Sequence, residues 1–106
     1  MTNETDALEA PVRDPRAITF PYEFRLTKTV KAHDEDLRVL VLREPTGDDV
    51  LRFGLLDGLD SSQFAPLVVS LAAVPMGTVK SMSARDTLSL ATVLSRFFQW
   101  AALPPG

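Results

Sequence analysis

One histidine and a scatter of acids and serines are the residues in this chain from which chemistry could be built. His33 stands in the run HDED beside Asp34, Glu35 and Asp36. Imidazole with carboxylates nearby is the raw material of a general base or a metal site, but a metal needs several ligands converging from separate positions. A single charged run between two apolar segments reads as a solvated turn. Asp48 and Asp49 are adjacent, and adjacent residues on a helix do not face each other. Both fall where acids favour the exposed amides of a first helical turn. The serines at 61, 62, 81 and 83 have no base at any recognisable spacing. Neither GxxxxGK nor GxGxxG occurs, so the glycines form no phosphate cradle of those kinds. This inventory points to a protein that is not an enzyme, without a cofactor or a metal.

The composition narrows the partners. The chain has 106 residues, a formal charge of −3 and no cysteine, with a pI near 5.0. That length suits one domain with one small core. The acidic balance offers no general attraction for phosphate backbones or anionic lipid, so neither nucleic acid nor membrane is expected as a partner. The basic residues are dispersed, with Arg25, Lys31 and Arg38 the nearest approach to a local patch. No basic-then-apolar leader opens the sequence, and no apolar run approaches the roughly 20 residues of a membrane span. A soluble, intracellular protein is expected.

The elements that must position these residues follow from periodicity. Residues 1–22 carry three prolines and no sustained period, the signature of a flexible N-terminal arm. Ile18, Phe20 and Tyr22 are apolar exceptions that can pack on the core or on a partner. From Glu23 the pattern has period two. Phe24 and Leu26 share one face of a first strand; Leu37, Val39 and Val41 share one face of a second, with Arg38, Leu40 and Leu42 on the other. The segment KAHDE joins them as a hairpin. The second strand is apolar on both faces, and a lone ribbon is marginal in water, so helices must cover at least one face.

The stretch LREPTGDDVLRF breaks the strand at Pro45 and restarts as a helix, with Thr46 as cap and Asp49 returning the hydrogen bond. Val50 and Phe53, joined by Leu51 and Leu55, predict a buried stripe; Gly54 weakens the helix and Gly58 ends it. A second helix is predicted from Ser61, with Phe64, Leu67, Val68, Leu71 and Ala72 at helical spacing and Pro66 tolerable in a first turn. Being apolar nearly all round, it is either the central helix or part of an interface. Pro75 and Gly77 then break the period. A final helix starts at Ser83, with Asp86 expected to close a capping box, and carries Leu90, Leu94, Phe97 and Ala101, widened by Ala91 and Phe98. Val93 and Trp100 lie off that stripe. The order predicts a small α+β domain over residues 23–103, an N-terminal β-hairpin packed against about three α-helices.

The apolar content is large for a chain this small, and exposed apolar surface marks interfaces. Phe64, Leu67, Val68 and Leu71, with Phe98 and Trp100 near the end, are the candidate binding residues; each can equally be core.

In their order these segments resemble the phage tail assembly chaperones of the Mu-like and P2 E-like kind. The resemblance runs over roughly residues 23 to 98. It rests on Leu26, Thr27, Lys28 and Val30 of the first strand and on the run Leu42, Arg43, Glu44, Pro45, Thr46. Met82, Ser83, Asp86, Leu90, Val93 and Phe97 complete it. The sequence departs from the family pattern at VPMGTVKSM and in its long N-terminal arm. The resemblance implies a chaperone that binds the tape measure protein and keeps it soluble while the tail tube assembles. It would act in the cytoplasm of the infected bacterial host and be absent from the mature virion. It also implies, in several such systems, a frameshifted longer form of the chaperone. The apolar hairpin edge separately allows self-association. A structural terminator or connector subunit is the main alternative, and a small adaptor or antitoxin the second.

Overall fold

The computed structural model describes residues 18–103. Two antiparallel strands, β1 (Tyr22–Ala32) and β2 (Glu35–Leu42), are followed by α1 (Gly47–Arg52), α2 (Ser61–Ala72), α3 (Met76–Lys80) and α4 (Ala84–Ala101). This is the expected β-hairpin packed against helices, with four helices among the described residues. Most of the predicted arm lies outside those residues. Of its apolar exceptions, Phe20 packs edge-on against Phe97 with ring centroids 5.4 Å apart, and Tyr22 opens β1.

The hairpin turn is tighter than the sequence suggested. Ala32 faces Glu35, so only His33 and Asp34 make the loop, with φ of 55° and 65°. Positive φ at both central positions is the type I′ geometry, whose twist matches the strands and which favours Asn-Gly. Replacing His33→Asn together with Asp34→Gly should relieve that strain and raise stability by about 1 kcal/mol, read as a melting temperature about 5 °C higher.

Further along the ribbon the register slips. Arg25 faces Val39 but Val30 faces Leu37, so four residues of β1, from Leu26 to Thr29, lie against Arg38 alone. This wide bulge changes which side chains share a face. Leu37, grouped from the period with Val39 and Val41, packs on the core with Leu40 and Leu42. Strict alternation fails because an odd register shift inverts the pairing of faces on its two sides. Val41 stays half-exposed on the outer face.

The first helix is shorter than predicted. Gly54 adopts a left-handed φ of 67°, its amide reaches the Leu51 carbonyl, and the Leu55 amide reaches the Val50 carbonyl at 2.8 Å. That pair of bonds is a Schellman stop, so α1 ends at Arg52 and Leu55 turns into the core. Pro66 lies in the second turn of α2, not its first. There its missing amide forfeits one helical hydrogen bond. The segment read as a break forms α3, because Pro75 sits at the N-cap, where a missing donor costs nothing.

The core is one cluster drawn from both strands and from α2, α3 and α4, with Val50 of α1 partly buried against it. Phe24, Leu26, Leu40 and Leu42 come from the strands, Leu67, Val68 and Leu71 from α2, Val79 from α3, and Leu90, Leu94 and Phe98 from α4. On α4 the buried ridge runs through Asp86, Leu90, Leu94 and Phe98. It leaves Phe97 half-buried beneath Phe20 and Ala101 exposed, so the face is rotated from the predicted stripe.

Candidate functional site

Two Thr/Ser-x-x-Asp sequences form the polar framework, and they use their carboxylates differently. At the β2–α1 joint the predicted capping box is present. The Asp49 amide donates to Thr46 Oγ1 at 3.2 Å, and the Thr46 amide donates to Asp49 Oδ2 at 2.8 Å. Asp49 is only 1% exposed, yet it is ionised among donors. Arg43 grips it with two nitrogens, at 2.7 and 3.0 Å, and Arg52 Nη2 lies 3.3 Å away. The Arg43 hydrogen bonds hold the Asp49 carboxyl far below the usual carboxylate range, outweighing the upward push of burial. Arg43 also donates through Nη2 to Ser70 Oγ and through its amide to the Leu71 carbonyl. The strand-to-helix joint is therefore a clamp fastening the end of β2 and the start of α1 to α2.

At the start of α4 the expected box is not formed. The Asp86 amide donates to Ser83 Oγ at 3.1 Å, but the Asp86 carboxylate turns to the bulge of β1. It accepts from the Thr27 amide at 3.1 and 3.0 Å, from Thr27 Oγ1 at 3.0 Å and from the Lys28 amide at 3.2 Å. The bulge leaves these amides without a ladder partner, and the carboxylate supplies a stronger acceptor than a return to its own cap. Burial raises the Asp86 pKa, but the Thr27 and Lys28 hydrogen bonds outweigh it and leave the carboxyl below its ordinary value. Nearby, Thr78 Oγ1 donates to the Lys31 carbonyl at 2.6 Å. The outer edge of β1 is thus stitched to α3 and α4.

The remaining polar residues are turn and surface groups. His33 and Asp34 are exposed at the hairpin tip, and no group of three or more potential ligands among the described residues could hold a metal. Ser62 donates to Asp60, and Ser81 to the Thr78 carbonyl. Lys31 pairs with Asp36 at 3.2 Å on the solvent side of the hairpin, an exposed pair of little energetic weight. No described helix is long and apolar enough to cross a membrane.

The candidate binding residues separate by place. Phe64, Leu67, Val68 and Leu71 form the inward face of α2, and Phe98 is buried from α4. Trp100 is half-buried on the last turn of α4. Phe98 has a second aspect: it lines a cleft of about 480 Å³ between the loop after α1 and the end of α4, with Val50, Leu55, Leu56 and Ala101 in the other walls. Sequence reasoning named Phe98 but missed the cleft, because Leu56 was read as part of a helix that ends before it. The signal available was Gly54, read as a weak point when it is the stop.

What this arrangement can do is present apolar surface on a braced scaffold. The family model for phage tail assembly chaperone proteins, E, or 41 or 14, matches residues 23–99. No curated protein and no solved structure matches the chain. The matched span takes in the hairpin, the Arg43–Asp49 clamp, the Asp86 tether and nearly all of α4, and on that span the chain belongs to the phage tail assembly chaperone family.

Proposed function

We propose that the chain binds the tape measure protein and keeps that long helical client soluble until tail tube subunits enclose it. The observation that carries this reading is the family match over residues 23–99. An apolar cleft in an acidic chain is consistent with it, because holding a helical client requires area and adaptable packing but no catalytic pair. The protein would act in the cytoplasm of the infected bacterial host and leave before the particle is complete. A longer frameshifted form of the chain and a second copy of it are further partners within this reading. Phe98 and Trp100, at the end of α4, are its candidate contacts; Phe64, Leu67, Val68 and Leu71 could meet a client only if α2 lifted from the core.

Co-expression with the tape measure protein, affinity capture and size-exclusion light scattering test the proposal. A soluble complex of defined ratio, absent from finished tails, is the expected result. Rings of this chain alone that persist in purified tails would assign it to the structural subunits instead.

A further inference from the structure

The cleft beside Phe98 has an apolar lip whose position is fixed by the backbone. The Schellman stop sends Leu55 inward, 4% exposed, and leaves its neighbour Leu56 outward, 75% exposed. Leu56 is not on a loose loop: the Gly58 amide donates to the Leu55 carbonyl at 3.0 Å, closing a turn with Leu56 at its head. A large apolar side chain is therefore held in solvent by fixed backbone. Across the cleft, Ala101 is small and exposed, and Phe98 offers the floor. Short side chains on one wall let a second helix approach α4 closely.

Charge selects the occupant. Asp57 lines the cleft and has no ion-pair partner among the described residues. Arg52, the nearest base in sequence, is already engaged by Asp48 at 3.7 Å and Asp49 at 3.3 Å. Arg96 lies in an adjoining groove on α4 with Leu88 and Ser95, which meets the cleft at Gln99. Asp57 is thus the one charged residue among those lining the cleft, and a partner that buries Leu56 gains by bringing a base to it.

We infer that this cleft receives an amphipathic helix of the client, its apolar stripe against Leu56, Phe98 and Ala101 and a Lys or Arg on its flank against Asp57. This deepens the chaperone reading and rests on it for the client's identity, but its test does not require the client. The probes are two designed helical peptides sharing a leucine stripe, one flanked by lysines and its twin by glutamates, each titrated into the isotope-labelled full chain and followed by amide NMR. The lysine peptide should shift amides at Leu56, Asp57, Ala101 and Ala102 and bind at least 10-fold tighter than its twin. Leu56→Asp and Ala101→Glu, both exposed and expected to keep the native spectrum, should each weaken it at least 10-fold. Leu88→Asp, in the other groove, should leave its affinity unchanged. Shifts centred on Leu88 and Ser95, equal binding of the two peptides, no binding of either, or full affinity in Leu56→Asp would overturn the assignment. Loss of the complex with the tape measure protein alone, with the peptide result intact, would instead overturn the client's identity.

Discussion

Replacing Asp86→Ala should lower the unfolding free energy by about 3 kcal/mol, because two bulge amides and one hydroxyl lose their acceptor together. For a domain of this size that is a fall in melting temperature of about 12–24 °C, measured by circular dichroism. Asp86→Asn discriminates the cause. It keeps the volume but offers one acceptor oxygen and turns an NH₂ toward donors, so it should recover little of the loss. Ser83→Ala, which removes only the cap, should cost about 1 kcal/mol. An Asp86→Asn protein as stable as the parent would mean that one neutral acceptor serves the bulge as well as the carboxylate does.

The second large effect is acid sensitivity. Asp49 and Asp86 both have folded pKa values below the ordinary value, so their stabilisation is fully present above the unfolded carboxylate pKa of about 3.9. As pH falls below that value the unfolded chain takes up protons that the folded chain refuses. Stability is then lost progressively until the folded groups also titrate. While Asp49 stays ionised only in the folded state it contributes a slope approaching about 1.4 kcal/mol per pH unit, and Asp86 adds to it in the same direction. Urea titrations at pH 7, 5, 4 and 3 should show little change from these groups down to pH 5 and a steep fall below 4. Asp49→Asn and Asp86→Asn should each be less stable at pH 7, and each should flatten the acid slope, Asp49→Asn by about 1.4 kcal/mol per pH unit at most. An unchanged slope in both variants would place the acid sensitivity elsewhere.

The sequence made local order legible and long-range use of side chains illegible. The hairpin, the Thr46–Asp49 box and the inward face of α2 could be read because period, cap and turn chemistry act within a few residues. Asp86 could not, since its cap pattern is satisfied by a local partner on paper and its true partner is Thr27, 59 residues earlier in the chain. The bulge leaves only a faint mark, Lys28 interrupting the apolar alternation of Phe24, Leu26, Val30 and Ala32, and it is the amides claimed by Asp86 that show the ladder has opened there. Of the candidate site, Phe98 was within reach, whereas Leu56 required knowing that Gly54 ends α1.

The Thr27–Asp86 tether also sets an order of events during synthesis. Its partners are 59 residues apart, so at about 5–20 residues per second the ribosome delivers the second roughly 3–12 s after the first. Through that interval the bulge amides have no carboxylate, the inner face of the hairpin has no α4, and a two-stranded ribbon of this kind has little stability of its own. The nascent chain of this chaperone is therefore itself an aggregation-exposed client until its last helix emerges, and its final third acts as the latch that closes the first.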